Sequence, residues 1–428
     1  MALSGFPDRS RIEADQLGKL RALLGILLGA NAFYSTKLSA AGVGADLASL
    51  EEYFERWPFT QKRELTQDQR EHPPYGTNLT YPLERYTRFC HTSATSGRPM
   101  HWLDTPQSWA WMVDNWTEVF RASGVTSQDR IFFAFSFGPF LGFWTAFEAA
   151  LRMGCLSIPG GGMRSSARLQ AIVDTGATVL CCTPTYSIRL AEVAAEQNFD
   201  LKDARIKKIF VAGETGGSIP GTVAHIEKLW HGARIVDQHG MTETGPVSYS
   251  CSVRPGVLHV MESAYIAEII STDTGRPVPP GGTGELVLTN LGRTGSPILR
   301  YRTGDLVQRA AECPCACGRH DLALEGGILG RTDDMVVVRG VNVYPSAVED
   351  VLRSFGVAEY RVEIRTERAL PELSIQVEPS PGQQDGAGLA HQLEAALNNA
   401  FSLRIPVSCV HLGELPRFEM KARRWVRV

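Results

Sequence analysis

No surplus of charge of one sign, no internal repeat and no long apolar run occurs in this chain of 428 residues. Lys and Arg number 43 against 46 Asp and Glu, a net charge of −3. That balance leaves no electrostatic footprint for nucleic acid or for an anionic membrane surface. The most apolar N-terminal stretch, "LRALLGILLGANAF" (Leu20 to Phe33), falls short of the roughly 20 residues a spanning helix needs. It begins late and lacks a small-residue cleavage pattern, so a buried helix is expected there rather than a signal or an anchor. Cysteine is sparse and odd in number, nine in all, which argues against a secreted disulfide framework. Cys90, Cys155, Cys181, Cys182, Cys251 and Cys409 are scattered, whereas Cys313, Cys315 and Cys317 cluster. Clustered thiols in an unexported chain point toward metal, and the cytoplasm is the expected location.

What is present is an ordinary globular composition, 43% hydrophobic and 21% charged, in a chain long enough for two or three domains. From about Ile131 strands and helices alternate. "RIFFAFSF", "CLSIPGG", "ATVLCCTP", "RIKKIFVAGE" and "ARIVDQHG" read as strands; "FLGFWTAFEAALRMG", "SSARLQAIVDTG" and "SIRLAEVAAEQ" read as helices between them. Short continuous apolar strands alternating with helices predict parallel strands buried on both faces, with ligand loops at their carboxyl ends. From about Ser248 to Gln308, "AYIAEII", "GELVLTNL" and "SPILRYRTGDLV" are separated by turns such as "VPPGGTG", which predicts antiparallel structure. After "GRTDD" the pattern restarts as a compact α+β unit of about a hundred residues, an ordinary domain size.

Five stretches carry chemistry-bearing residues. "HTSATSGRP" (His91 to Pro99) concentrates hydroxyls and a glycine of the kind that phosphate oxygens seek. "HGMTETG" (His239 to Gly245) follows the strand "RIVDQ", and "YRTGDL" (Tyr301 to Leu306) puts a carboxylate behind a glycine turn. "GRTDDMVVVRGVNVYP" (Gly330 to Pro345) sits at the expected domain junction, and "LPRFEMKARRW" (Leu415 to Trp425) ends the chain. In this order the set resembles the adenylate-forming superfamily of acyl- and aryl-CoA ligases, and its phenylacetate–CoA ligase branch in particular. The resemblance runs from about Tyr81 to the C-terminus.

The resemblance implies an α/β fold with two parts. Residues 1–331 would form a large N-terminal domain of doubly wound, mostly parallel sheets plus a β subdomain, binding ATP and the acyl substrate. Residues 332–428 would form a small, mobile α+β lid. It further implies an AMP-forming acid–thiol ligase, in which an aromatic carboxylate attacks the α-phosphate of ATP and coenzyme A then takes the acyl group. Thr92, Ser93, Thr95, Ser96 and Gly97 would cradle the outgoing phosphates. Gly213, Glu214, Asp237, His239, Gly240, Met241, Thr242, Asp305 and Arg331 would line the nucleotide. Asp305 suits the ribose hydroxyls as a charged acceptor. Thr242 would donate to the α-phosphate, and Glu243 would hold Mg²⁺, a hard cation suited to one carboxylate plus phosphate oxygens. Lys421, a compact ammonium, would bridge the two mutually repelling anions of the first step. Asp333 matches the hinge, and Gly340 would leave room for a pantetheine arm. The sequence departs from the family pattern at Ala94, Arg98, His239 and Met420, changes concentrated on the phosphate loop.

Cys315 and Cys317 match a cysteine pair of that branch; with Cys251 and His259 they would make a closed tetrahedral, structural zinc site. Cys313 and His320 are the spare ligands. Phe137 and Phe140, with Gly213, are the expected walls and floor of a pocket for a flat aryl or arylacetic acid. A carrier-protein phosphopantetheine or an amine as acceptor, or a non-catalytic scaffold, are the alternatives, and a homodimer is left open.

Overall fold

The structure, a computed structural model, describes residues 5–92, 99–339, 341–367, 370–382, 385–419 and 421–428. Asp8 starts the first helix, α1 (Arg9–Ala30), by accepting the Arg11 N–H on its carboxylate. Leu20, Leu23, Leu24 and Leu27 lie on its one buried face, spaced as an amphipathic helix requires. They pack with Ile266, Leu291 and Leu299, so the apolar N-terminal run is the inner face of a core helix, as its length predicts. Asn31 ends α1 and caps α2 (Ala32–Ala40) by accepting from Tyr34 N–H. Ser49 caps α3 (Leu50–Arg56), and Glu64 reaches back to the Gln61 N–H at the start of α4 (Lys62–Glu71).

Two compact units divide the chain. The first comprises Met1–Gly162 and Gln238–Glu325. Besides α1–α4 it holds the hairpin of Arg88–His91 and His101–Asp104, then α5 (Pro106–Ala122) and α6 (Trp144–Arg152). Strands Arg130–Phe133 and Leu156–Pro159 pair in parallel. Trp109 and Trp116 on α5 are buried, the packing expected of "SWAWMVDNW". The predicted helix from Phe140 begins only at Trp144, because the Gly138–Gly142 segment turns through a positive φ of 39° at Gly142. The predicted antiparallel region is a six-stranded sheet in the order 248–250, 257–260, 323–331, 301–309, 283–290, 265–270. Its third strand leaves the unit after Glu325.

The second unit comprises Met163–Asp237 and Gly326–Val428; residues 331 and 332, the expected domain border, fall inside it. Strands Val179–Cys182, Lys208–Val211 and Arg234–Asp237 lie parallel and side by side. They alternate with α7 (Ser165–Asp174), α8 (Pro184–Glu196) and α9 (Pro220–Leu229). After the hairpin Val336–Val338 and Val341–Val343 comes α10 (Pro345–Ser354), and α8, α9 and α10 each carry proline in the first turn, where a missing N–H costs nothing. Long antiparallel strands Val357–Glu367 and Leu370–Pro379 are flanked by the parallel strands Trp425–Arg427 and Val407–Cys409. α11 (Gly386–Phe401) packs Leu389, Leu393 and Leu397 into the same core as Val348 and Leu352. Among the described residues no helix is long and apolar enough to cross a membrane.

Candidate functional site

In the first unit "HGMTETG" is a hairpin: Gly240 pairs with Pro246 and Met241 with Gly245, leaving Thr242, Glu243 and Thr244 at its tip. Gly245 has φ +85°, a conformation glycine adopts without penalty, and an added Cβ would press on Met112. The Tyr265 hydroxyl stands 2.9 and 2.8 Å from the Thr244 and Pro246 carbonyls. Beneath the tip, the buried Arg293 donates 2.6 Å to the Thr242 carbonyl and pairs with Asp104 through 2.7 and 2.6 Å bonds. Glu243 is buried; its Oε1 accepts from the Tyr301 hydroxyl at 3.3 Å and lies 3.2 Å from Lys62 Nζ. His239 Nε2 is 2.9 Å from Asp305 Oδ2; Asp305 is buried and the His239 side chain is 9% exposed. The hairpin and the "YRTGDL" strand, about sixty residues apart in sequence, therefore share one polar surface. At the hairpin Arg88–His91 and His101–Asp104, Thr92 and Met100 exchange hydrogen bonds, closing the neck of the serine- and threonine-rich loop. Ser93, Thr95, Ser96 and Gly97, with Ala94 and Arg98, lie outside the described residues.

In the second unit the "GETGG" turn follows strand Lys208–Val211, with φ +95° at Gly213 and +135° at Gly216. A Cβ on Gly217 would collide with Asp237, whose Oδ2 accepts from Ser218 Oγ at 2.5 Å. Lys421 comes to this turn: its Cε stands 3.7 Å from where a Cβ on Gly213 would be. The Glu214 carboxylate accepts the N–H groups of Thr185 at 2.8 Å and Ala422 at 2.9 Å. Burial pushes its carboxyl above the ordinary range, against the pull of those amides and of Arg424. Arg331 and Asp333 form an ion pair of 2.8 Å. Gly340 and Met420 lie outside the described residues.

Cys251, His259, Cys315 and Cys317 bring their ligand atoms within 4.8 Å of one another in the first unit. Cys251 Sγ is 3.9 Å from Cys315 Sγ, and Cys317 Sγ is 3.3 Å from His259 Nε2. A disulfide needs about 2.05 Å; ligands of one tetrahedral zinc with Zn–S near 2.3 Å stand about 3.8 Å apart. His259 is pushed down to about 4 by burial, which keeps it in the neutral form that binds metal. Burial opposes ionisation of Cys315, but donors from the Cys317 backbone and Arg254 hold its thiol below the usual range. The four residues fit zinc.

The aromatic residues Phe135, Phe137, Phe143, Trp144 and Phe147 form a connected cluster in the first unit, with Phe137 centred 4.5 Å from Phe135 and 4.8 Å from Trp144. A Cβ on Gly161 would press the Phe137 ring at 2.9 Å. Phe140 packs on His91 at 5.1 Å.

Sequence reasoning missed Lys62, Arg293 and Asp104, and the tie from Glu214 to Ala422. A capping pattern marks α4 in the sequence, but no pattern says that its first residue meets Glu243.

Two family models match the chain: that of the AMP-binding enzymes over residues 44–292, and that of the AMP-binding enzyme C-terminal domain over residues 340–427. A phenylacetate-coenzyme A ligase of Thermus thermophilus is 31% identical over 378 residues, covering 87% of this chain and 82% of that protein. A crystal structure of 2-hydroxyisobutyryl-CoA ligase in the postadenylation state, bound to R3-HIB-AMP, matches with a TM-score of 0.92 at 27% identity, over 98% of this chain and 90% of that one. The same ligase with 2-HIB-AMP and CoA, in the thioesterification state, matches with a TM-score of 0.74 at 28% identity, again over 98% and 90%.

Proposed function

The chain belongs to the AMP-binding enzyme family, and from that premise we propose that it activates an aromatic carboxylic acid with ATP and passes the acyl group to coenzyme A. In the first step the acid's carboxylate attacks the α-phosphate and pyrophosphate leaves. Two anions must meet, so a cation and aimed donors have to offset their repulsion. Lys421 supplies the cation as an ammonium over the "GETGG" turn, and exclusion of water strengthens its pull on both oxygens. Thr242, held by Arg293 at its carbonyl, offers its hydroxyl to the α-phosphate. Asp305, oriented by His239, receives the ribose, and Arg331 donates to the same sugar. Mg²⁺, when bound, would neutralise phosphate charge, and the buried Glu243 is the carboxylate that would hold it.

In the second step the thiol of coenzyme A attacks the acyl carbon and AMP leaves. Asp333 is the proposed hinge, residues 332–428 the body that turns about it, and Gly340 part of the thiol's path. The structural relative exists in postadenylation and thioesterification states, which supports a two-state cycle. Phe137 and Phe140, with Gly213, are proposed to receive the acid, an aryl or arylacetic compound, in keeping with the relative named as a phenylacetate-coenzyme A ligase. Cys251, His259, Cys315 and Cys317 would hold a structural zinc with no open position. Among the described residues no disulfide joins the cysteines, as a reducing compartment such as the cytoplasm would leave them.

The observation that supports this reading most is Lys421 at the "GETGG" turn. The test is pyrophosphate release across benzoic, hydroxybenzoic, aminobenzoic and phenylacetic acids, with mass detection of the CoA thioester. Acid-dependent release with a thioester product is expected; no release with any acid contradicts the proposal.

A further inference from the structure

The terminal segment that carries Lys421 is fastened at several points, and two acidic residues of the second unit hold it against opposite ends of α8. At the N-terminal end, Glu214 accepts one N–H from each side: Thr185, in the first turn of α8, at 2.8 Å, and Ala422, the neighbour of Lys421, at 2.9 Å. Arg424 adds a 3.3 Å bond to the Thr185 hydroxyl while pairing with Glu359 at 2.5 and 3.0 Å. Toward the other end of α8, Glu192 accepts from Arg417 at 3.0 and 3.1 Å. Arg417 also reaches Glu378 at 2.6 Å, and Glu378 in turn accepts the backbone N–H groups of Gly413 and Leu415 at 3.0 and 2.5 Å.

The geometry of Glu214 is specific to a carboxylate. Both of its oxygens face N–H donors, and the first turn of α8 favours a negative charge there. An amide in its place offers one acceptor and one donor, so it opposes one of the two N–H groups. Glu214 belongs to the turn expected to contact adenine, yet both of its carboxylate oxygens are engaged by backbone N–H groups, one of them beside Lys421.

We infer that Glu214 and Glu192 form a latch that seats Arg417, Ala422 and Arg424 on α8, making Glu214 a positioning residue for Lys421 and not a nucleotide contact. The inference rests on Lys421 being the cation of the adenylation step. With the latch closed, Lys421 lies over Gly213; with it open, the lysine is free to leave as the second step requires. A carboxylate held by two backbone amides is strong enough to set a geometry, yet it can be exchanged for water when the segment moves.

The test uses the full-length enzyme with Glu214→Gln and Glu192→Gln, read in two ways. Hydrogen–deuterium exchange of peptides spanning residues 413–424 reports the latch without turnover. Half-reaction kinetics report its consequence: acid-dependent pyrophosphate release for the first step, and thioester formation from supplied acyl-adenylate for the second. For Glu214→Gln, exchange in this segment accelerates at least about tenfold and the maximal rate of adenylation falls at least about tenfold, each corresponding to one lost charge-assisted contact. The KM for ATP and the thioester rate stay within about twofold. Glu192→Gln moves both readouts in the same direction by a smaller factor. Unchanged exchange in both variants overturns the latch. A raised KM for ATP at constant maximal rate overturns it in favour of a nucleotide contact, and an equal loss in both half-reactions overturns it in favour of a general structural role. If Glu214→Gln does not fold, Glu192→Gln alone decides: faster exchange supports the latch and unchanged exchange overturns it. Absence of adenylation by the wild-type enzyme with every acid defeats the proposed function, and the exchange data still decide the latch.

Discussion

Arg293 shows how one side chain can underwrite a site it does not enter. Its guanidinium is fully buried, paired bidentately with Asp104 and bonded to the Thr242 carbonyl. Removing one partner of such a pair strands a charge in a low-dielectric interior. Arg293→Met is therefore expected to cost about 3–5 kcal/mol, seen as a lower urea midpoint, and to release the tip of the Thr242 hairpin. A stability within about 1 kcal/mol of wild type would contradict that role. Asp104 and Arg293 are 189 positions apart, and each looks unremarkable beside its sequence neighbours, so no local pattern announces them. Thr242 and Glu243, by contrast, stand in one contiguous turn flanked by glycines, so a sequence pattern marks them as candidates. His225 sets an acid limit on stability. Burial, then the charges of Arg353 and Lys228, push it down to about 4 from the ordinary 6.5. The unfolded chain binds that proton first, so the contribution is complete above pH 6.5 and is lost as pH falls toward 4. Urea unfolding between pH 7 and 5 should show this loss, and His225→Gln should reduce it by about 1 kcal/mol or more. An unaltered pH slope would contradict the assignment.

At the level of elements, the thiol cluster joins strand Val257–Val260, the preceding turn and the cysteine loop after strand Tyr301–Arg309. Strand Val257–Val260 pairs with Ala323–Glu325, so the metal would tie the middle of the loop, through Cys315 and Cys317, to His259 on that strand of the antiparallel sheet. Chelation under denaturing conditions followed by refolding without metal should lower the melting temperature and expose three reactive thiols. Elemental analysis of the untreated protein should give one zinc per chain. A metal-free protein with the same melting temperature would contradict the site. Most of the alternation of strands and helices between Ile131 and Asp237 was legible because its apolar periods are clear and several elements end near glycine or proline; α9 (Pro220–Leu229) was not read from the sequence. The delayed start of α6 was not, since Phe140–Phe143 has helical composition and only the turn at Gly142 interrupts it.

Across the whole molecule, the two proposed chemical steps would call on one cation, Lys421, to be present in the first and withdrawn in the second. The C-terminal motif was legible as a lysine in a basic segment, but its fastening was not, because Glu192, Glu214 and Glu378 come from three separate elements. Asp333→Pro, which stiffens the proposed hinge, should leave acid-dependent pyrophosphate release within about threefold while thioester formation falls at least about tenfold. Equal rates in both steps would count against a hinge at that position. The most direct measurement is the pair of half-reactions in Lys421→Ala. Exchange of labelled pyrophosphate into ATP should fall by about a hundredfold or more, while thioester formation from supplied acyl-adenylate stays close to wild type. A Lys421→Ala enzyme that still exchanges pyrophosphate at the wild-type rate, or that loses both steps equally, would contradict the account.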